Sequence, residues 1–104
     1  MDTDDVRQQL RAYRTAVYQF LHRDQNETLL SSFERIAQAY TITFETVQLC
    51  SDETARRVLF CRYCERLSSL QTAEKLYYCE RHVKRLQRKG VLDICGKDVT
   101  FQSK

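Results

Sequence analysis

At 104 residues the chain has room for one compact domain, or for a helical part plus a small metal module. It carries 17 Lys/Arg against 14 Asp/Glu, with 5 Cys, 2 Gly and no Pro; so few breakers exclude long flexible linkers and argue for a mostly helical chain. No stretch approaches the roughly 18–20 apolar residues of a membrane span, and the acidic opening MDTDDV reads as a helix start, not a secretory or transit segment. The expectation is a soluble intracellular protein, free of membrane, with reduced thiols.

In chain order, residues 4–23 read as an amphipathic helix. Val6, Leu10, Tyr13, Val17 and Phe20 recur at alternating spacings of four and three. Asp2 or Thr3 suits the N-cap, and Asp4 and Asp5 suit the positive end of the helix dipole. The polar segment Arg23–Asn26 breaks the pattern. A second helix is predicted from Thr28 to Tyr40, with Leu29, Phe33, Ile36 and Tyr40 on one stripe. Two such seams pack against each other or against the same pair in another subunit, so residues 1–50 are read as a helical, self-associating region forming a homodimer. Thr41–Leu49 stays open between strand and helix. Ile36, Ala37, Tyr40, Ile42 and Val47 also have the spacing of a helix-turn-helix, although Thr41 stands where the turn glycine belongs and 43–50 holds no Lys or Arg.

Residues 51–104 are read as a zinc-binding basic module. Ser51, Asp52 and Glu53 look like the start of a short helix near 52–59. Gly90 is placed like a C-terminal helix cap, and VLDICGKDVTF reads as a β-hairpin turning at Gly96–Lys97.

The pattern Cys61-x-x-Cys64, fourteen residues, Cys79-x-x-His82 is the strongest chemical signal. Zinc takes four thiolate or imidazole ligands at the corners of a tetrahedron, and a two-residue gap lets one tight turn aim a pair at one ion. The expectation is one structural Zn²⁺ held by Cys61, Cys64, Cys79 and His82, with Cys50 or Cys95 as alternative fourth ligands or buried apolar groups. A knuckle followed by a ligand-bearing helix resembles treble-clef fingers, and Tyr-Tyr-Cys-Glu-Arg-His resembles the closing half of a LIM-type finger. A redox Cys-x-x-Cys usually opens a helix after a strand in a βαβ sheet, which nothing here indicates. No carboxylate is placed as in zinc hydrolases, so a non-enzymatic protein is expected.

Charge divides unevenly. Residues 1–52 hold five Lys/Arg and eight Asp/Glu, a balance of −3, whereas 53–104 hold twelve and six, a balance of +6. Arg81, Lys84, Arg85, Arg88 and Lys89 lie on the helix after Cys79; 81, 84, 85 and 88 share a face at spacings of three and four. Arg56 and Arg57 precede the first Cys pair, and Arg62 and Arg66 sit in or beside the knuckle. Such a patch is either a solvated surface or a polyanion site. Tyr63, Tyr77 and Tyr78 lie among these charges, to stack on unpaired bases or to pack around the metal.

Taken with Arg56-Arg57 and the basic helix, the Cys/His motif makes residues 55–90 resemble the small cysteine-rich zinc-finger proteins of positive-strand RNA plant viruses, in the style of carlaviruses and benyviruses. That resemblance implies an RNA-binding suppressor of host RNA silencing, acting in the host cytoplasm and also the nucleus or nucleolus. It singles out Arg56, Arg57 and the four zinc ligands. The expected fold is mainly α: an N-terminal helical pair, then a treble-clef-like α+β zinc module ending in the hairpin. A zinc-dependent protein-interaction adaptor and a DNA-binding transcriptional regulator are the competing readings.

Overall fold

In the computed structural model, which describes residues 2–22 and 28–102 with side chains as far as Gly96, the first helix, α1, spans Thr3–Leu21. The Asp2 side chain accepts a hydrogen bond from the Asp5 N–H at 2.9 Å, as an N-cap should. Val6 and Leu10 are fully buried. At the other end His22 donates from Nδ1 to the Tyr18 carbonyl at 2.9 Å and stacks on the Tyr18 ring. The break expected at Arg23–Asn26 lies outside the described residues.

The second helix, α2, runs unbroken over Leu29–Gln48, capped by the Thr28 hydroxyl. This settles the open stretch as helix through Gln48, with Leu49 as its C-cap, and removes the helix-turn-helix. Its β-branched residues keep the helix because each threonine hydroxyl finds a carbonyl: Thr41 donates to Ala37 O at 3.1 Å and Thr46 to Ile42 O at 2.7 Å. Thr43, fully buried, reaches across to α1. Its hydroxyl is shared between the Gln9 and Leu10 carbonyls, each at 3.2 Å, and accepts from the Tyr13 N–H at 3.0 Å. Tertiary pairing thus overrides a local preference for strand.

Asp52 caps α3, Glu53–Leu59, by accepting from the Ala55 N–H. The chain then widens into a π-helical turn, Phe60–Cys64, in which the Glu65 N–H donates to Phe60 O. Arg66 leaves that turn in the left-handed region at φ 58°. A capping box between Ser68 and Gln71 starts α4, Ser69–Leu76, and Tyr77 ends it, again left-handed at φ 61°. The last helix, α5, runs over Glu80–Gln102.

The predicted α+β zinc module and C-terminal β-hairpin are therefore corrected: the described residues form helices and no strand. Val83, Leu86, Val91 and Ile94 are all buried, on one inward stripe, and burial of that stripe decides for helix over the β-branched tail. Gly90 does not end the helix. A Cβ there would stand 2.7 Å from Leu59 Cδ1, so glycine lets α5 press against α3. Asp93 fastens the same helix to the α2–α3 connection, its carboxylate accepting from the Ser51 N–H at 2.6 Å and from the Ser51 hydroxyl at 2.9 Å.

The larger core cluster joins Val6, Leu10 and Val47 to Cys50, Ala55, Leu59, Tyr63, Cys64, Val91 and Ile94, so the two halves of the chain share one interior. A smaller cluster of Val58, Ala73, Val83 and Leu86 seats α4. The whole is a slab of 42 × 39 × 18 Å, little more than one helix on another. Its radius of gyration of 15.0 Å exceeds the about 13 Å of a compact chain this long. No helix among the described residues is long and apolar enough to cross a membrane.

The two glycines of α5 should respond oppositely to substitution. Gly90→Val is expected to lower stability by about 2–3 kcal/mol, because Leu59 is itself fully buried and has nowhere to yield. Gly96→Ala, where a Cβ meets nothing within 4 Å, is expected to raise it by up to about 1 kcal/mol. Urea denaturation of the two variants checks both signs.

Candidate polyanion-binding face

The four expected zinc ligands do not converge. Cys61 and Cys64 sit in the π turn at 2% and 7% exposure. Burial pushes each thiol up to about 11, with the nearby Glu65 charge adding to the effect. Glu65 itself is held by Lys75 at 2.7 Å. Cys79, in contrast, is exposed at the start of α5, and His82 lies one turn on, edge-to-face with the Tyr78 ring at 4.9 Å. Among the described residues no three His, Cys, Asp or Glu side chains form a group able to hold a metal. The fourteen residues expected to loop back and close the site instead fold into α4, whose capping box and buried Thr72 and Ala73 commit them to packing. Cys50 is fully buried, its Sγ 3.6 Å from the Asp52 carbonyl oxygen, and burial raises it too to about 11. Cys95 is half-buried against the larger core cluster. Neither replaces His82.

The basic residues fare differently. Because Val83, Leu86 and Gly90 face inward, Arg81, Lys84, Arg85, Arg88 and Lys89 are all exposed, as the helical spacing predicts. Lys89 pairs with Asp52 at 2.9 Å and Arg57 with Glu53 at 3.4 Å, both at the surface. Arg56 donates to the Cys50 carbonyl. Arg66 is exposed and lies over the Tyr13 ring. Arg81, Lys84, Arg85 and Arg88 have no carboxylate in ion-pairing contact among the described residues.

Arg62 is the best anchored of these cations. It donates from Nη1 to the Leu67 carbonyl at 2.6 Å and from Nε to Gln87 Oε1 at 3.0 Å, while Gln87 Nε2 donates to the buried Tyr63 hydroxyl at 2.9 Å. It too lacks a carboxylate partner among the described residues. Burial and then the neighbouring Arg14 charge pull its guanidinium below the ordinary value. Arg14 donates to the Arg62 carbonyl at 3.3 Å and lies over the Tyr63 ring. Next to Arg62 is a polar cleft of about 290 Å³, lined also by Arg7, Ser69, Lys84, Gln87 and Arg88.

Arg7 and Arg14 were missed because they belong to the acidic half of the chain. A signal was there: Arg7, Arg11 and Arg14 fall at spacings of four and three, a cationic stripe on α1. Of the three tyrosines, Tyr63 is core and Tyr78 packs on the smaller cluster, so Tyr77 alone projects, 93% exposed.

With the candidate ligands apart, Cys79→Ser and His82→Ala are expected to leave the thermal midpoint within about 2 °C of the parent, as for ordinary surface changes. A chelator should likewise leave it unchanged. Thiol titration of the native chain should find Cys79 reacting fast and Cys50, Cys61 and Cys64 only on unfolding. Stoichiometric zinc in the purified protein, lost together with the fold on chelation, would instead restore the finger.

No protein-family model, no curated protein and no solved structure matches this chain.

Proposed function

We propose that this chain binds RNA through the outward face of α5 and the cationic surface that continues onto the π turn and α1. One observation carries the reading: Arg81, Lys84, Arg85 and Arg88 are exposed and without acidic partners among the described residues. Like charges three and four residues apart on a helix repel by about 0.2–0.5 kcal/mol a pair. A row of phosphates removes that repulsion and gains from counterion release. In this reading the helix is held outward by its buried stripe, and no ion is needed to hold it. Tyr77 adds an exposed ring beside the start of α5, suited to stacking on an unpaired base. Suppression of RNA silencing and a nuclear or nucleolar address enter as the setting that the cysteine-rich resemblance implies.

The same reading takes the chain as a homodimer through an α2 seam that keeps Phe33 and Tyr40 of the expected stripe. Val6 and Leu10 of the α1 seam are spent inside the monomer. On α2, Leu30, Phe33, Ala37, Tyr40 and Phe44 recur at spacings of three and four and are all exposed, Leu30 at 69% and Phe33 at 54%. Phe20, Tyr13 and Phe60 extend this into an aromatic ridge, with ring centroids 5.0–6.3 Å apart. So large an apolar stripe on a thin slab marks an interaction surface. That stripe is also what favours the rival reading, a protein-interaction adaptor.

Binding of a short labelled RNA is expected to weaken about a hundredfold between about 50 and 200 mM salt if about five phosphates are engaged. Arg81→Glu with Arg85→Glu should abolish it. Tyr77→Gly should weaken binding while stabilising the fold by about 1 kcal/mol, since glycine suits the left-handed cap. Absence of RNA binding at low salt leaves the adaptor.

Light-scattering mass is expected to be that of two chains, falling to one in Phe33→Glu with Phe44→Glu. A monomeric parent removes the dimer from the reading.

A further inference from the structure

Where the chain presses α1, the π turn, α4 and α5 together, the cleft beside Arg62 has a composition that the open basic face does not. Arg7, Arg62, Lys84 and Arg88 line it with Ser69 and Gln87, and no acidic side chain is among its lining residues. None of the four cations has a carboxylate in ion-pairing contact among the described residues. We infer that this cleft is a seat for one phosphate group, with Arg62 as its fixed base and Arg7, Lys84 and Arg88 closing on the oxygens. It deepens the RNA reading and rests on it only for where the phosphate comes from, a phosphodiester of the RNA backbone or a free phosphomonoester.

Preorganisation separates this place from the rest of the basic surface. Most exposed cations lose side-chain freedom when they meet an anion. Arg62 has already lost it, being held at Nε by Gln87 and at Nη1 by Leu67 O, while Gln87 is locked in turn by Tyr63. A planar guanidinium held in this way presents its remaining N–H groups in a fixed fork that matches a phosphate. Ser69 opens α4, directly after the Ser68 cap. Its backbone N–H is one of those a helix leaves unpaired in its first turn, and the dipole there favours an anion. The lining comes from three helices and the π turn, so the cations converge only in the folded chain. At about 290 Å³ the space lies at the lower edge of small-molecule sites.

The test uses the full chain and three probes: inorganic phosphate, a short oligouridylate carrying a 5′-phosphate, and the same oligomer with a 5′-hydroxyl. Arg7→Gln and Arg88→Gln remove cleft cations that make no side-chain hydrogen bond among the described residues, and circular dichroism confirms that each variant is folded. Arg85→Gln, outside the cleft, is the control. Each cleft variant is expected to weaken phosphate and RNA binding about tenfold, a charge-assisted hydrogen bond's worth. Arg85→Gln should weaken RNA binding alone, and more mildly. A stronger response to the 5′-phosphate identifies a terminal phosphomonoester, and equal responses from the two oligomers identify a backbone phosphodiester. Retained phosphate binding without RNA binding keeps the cleft and removes the RNA reading. RNA binding that responds equally to Arg85→Gln and the cleft variants, with inorganic phosphate unbound, overturns the cleft and leaves the RNA reading in place.

Discussion

The contact between Leu59 and the bare backbone at Gly90 governs the rest of the structure. Leu59 is fully buried and occupies the volume that a Cβ at position 90 would need. Only glycine allows α5 so close to α3 and to the π turn that follows it. That approach buries Val91 and Ile94 in the larger core, brings Gln87 within hydrogen-bonding reach of Arg62 and Tyr63, and leaves the opposite side of α5 to its cations. A helix drawn in along one stripe must turn its remaining residues to water, so the basic face follows from the same packing that forms the core.

Much of this could be read in the residues themselves. Asp2, Thr28, Asp52 and Ser68 act as caps; Asp2 is one of the two expected at the first helix, and Thr28 and Asp52 stand where helix starts are read, because capping is decided within four residues of chain. The outward set on α5 follows from the 3.6-residue period alone. What depended on distant partners was not legible. Thr41–Leu49 stays open between strand and helix locally, and the α1 carbonyls that receive Thr43 help decide for helix. The tail after Gly90 carries β-branched residues and a second glycine, yet Val91 and Ile94 are claimed by a core that begins at Val6. Gly90 itself reads as a terminus, since a helix-breaking residue and a close helix crossing leave the same letter in the sequence.

The Cys/His pattern has two local readings, and spacing alone does not choose between them. A two-residue gap between cysteines suits a metal knuckle, and it also places two small apolar side chains on the inside of one helical turn. In the π turn the widened backbone carries Cys61 and Cys64 inward beside Tyr63, and desolvation holds their thiols protonated well above neutral pH. Cys79 and His82 are governed by a different constraint, the left-handed exit at Tyr77 that aims the start of α5 into solvent.

The cationic cleft and the exposed α2 seam draw on different elements. The cleft draws its cations from α1, the π turn and α5, and no α2 residue lines it. The exposed seam of Leu30, Phe33, Ala37, Tyr40 and Phe44 lies wholly on α2. A second copy seated on that seam leaves both sets of cations free, and joining two cationic faces in one particle raises avidity for a polyanion without any new contact to it. The gain depends on geometry: two weak phosphate-binding faces act together only on a strand long enough to span them. For a slab 42 Å across, the affinity of the dimer should therefore rise with RNA length and then level off, whereas a monomer would show only the gradual increase expected from more equivalent sites along the strand.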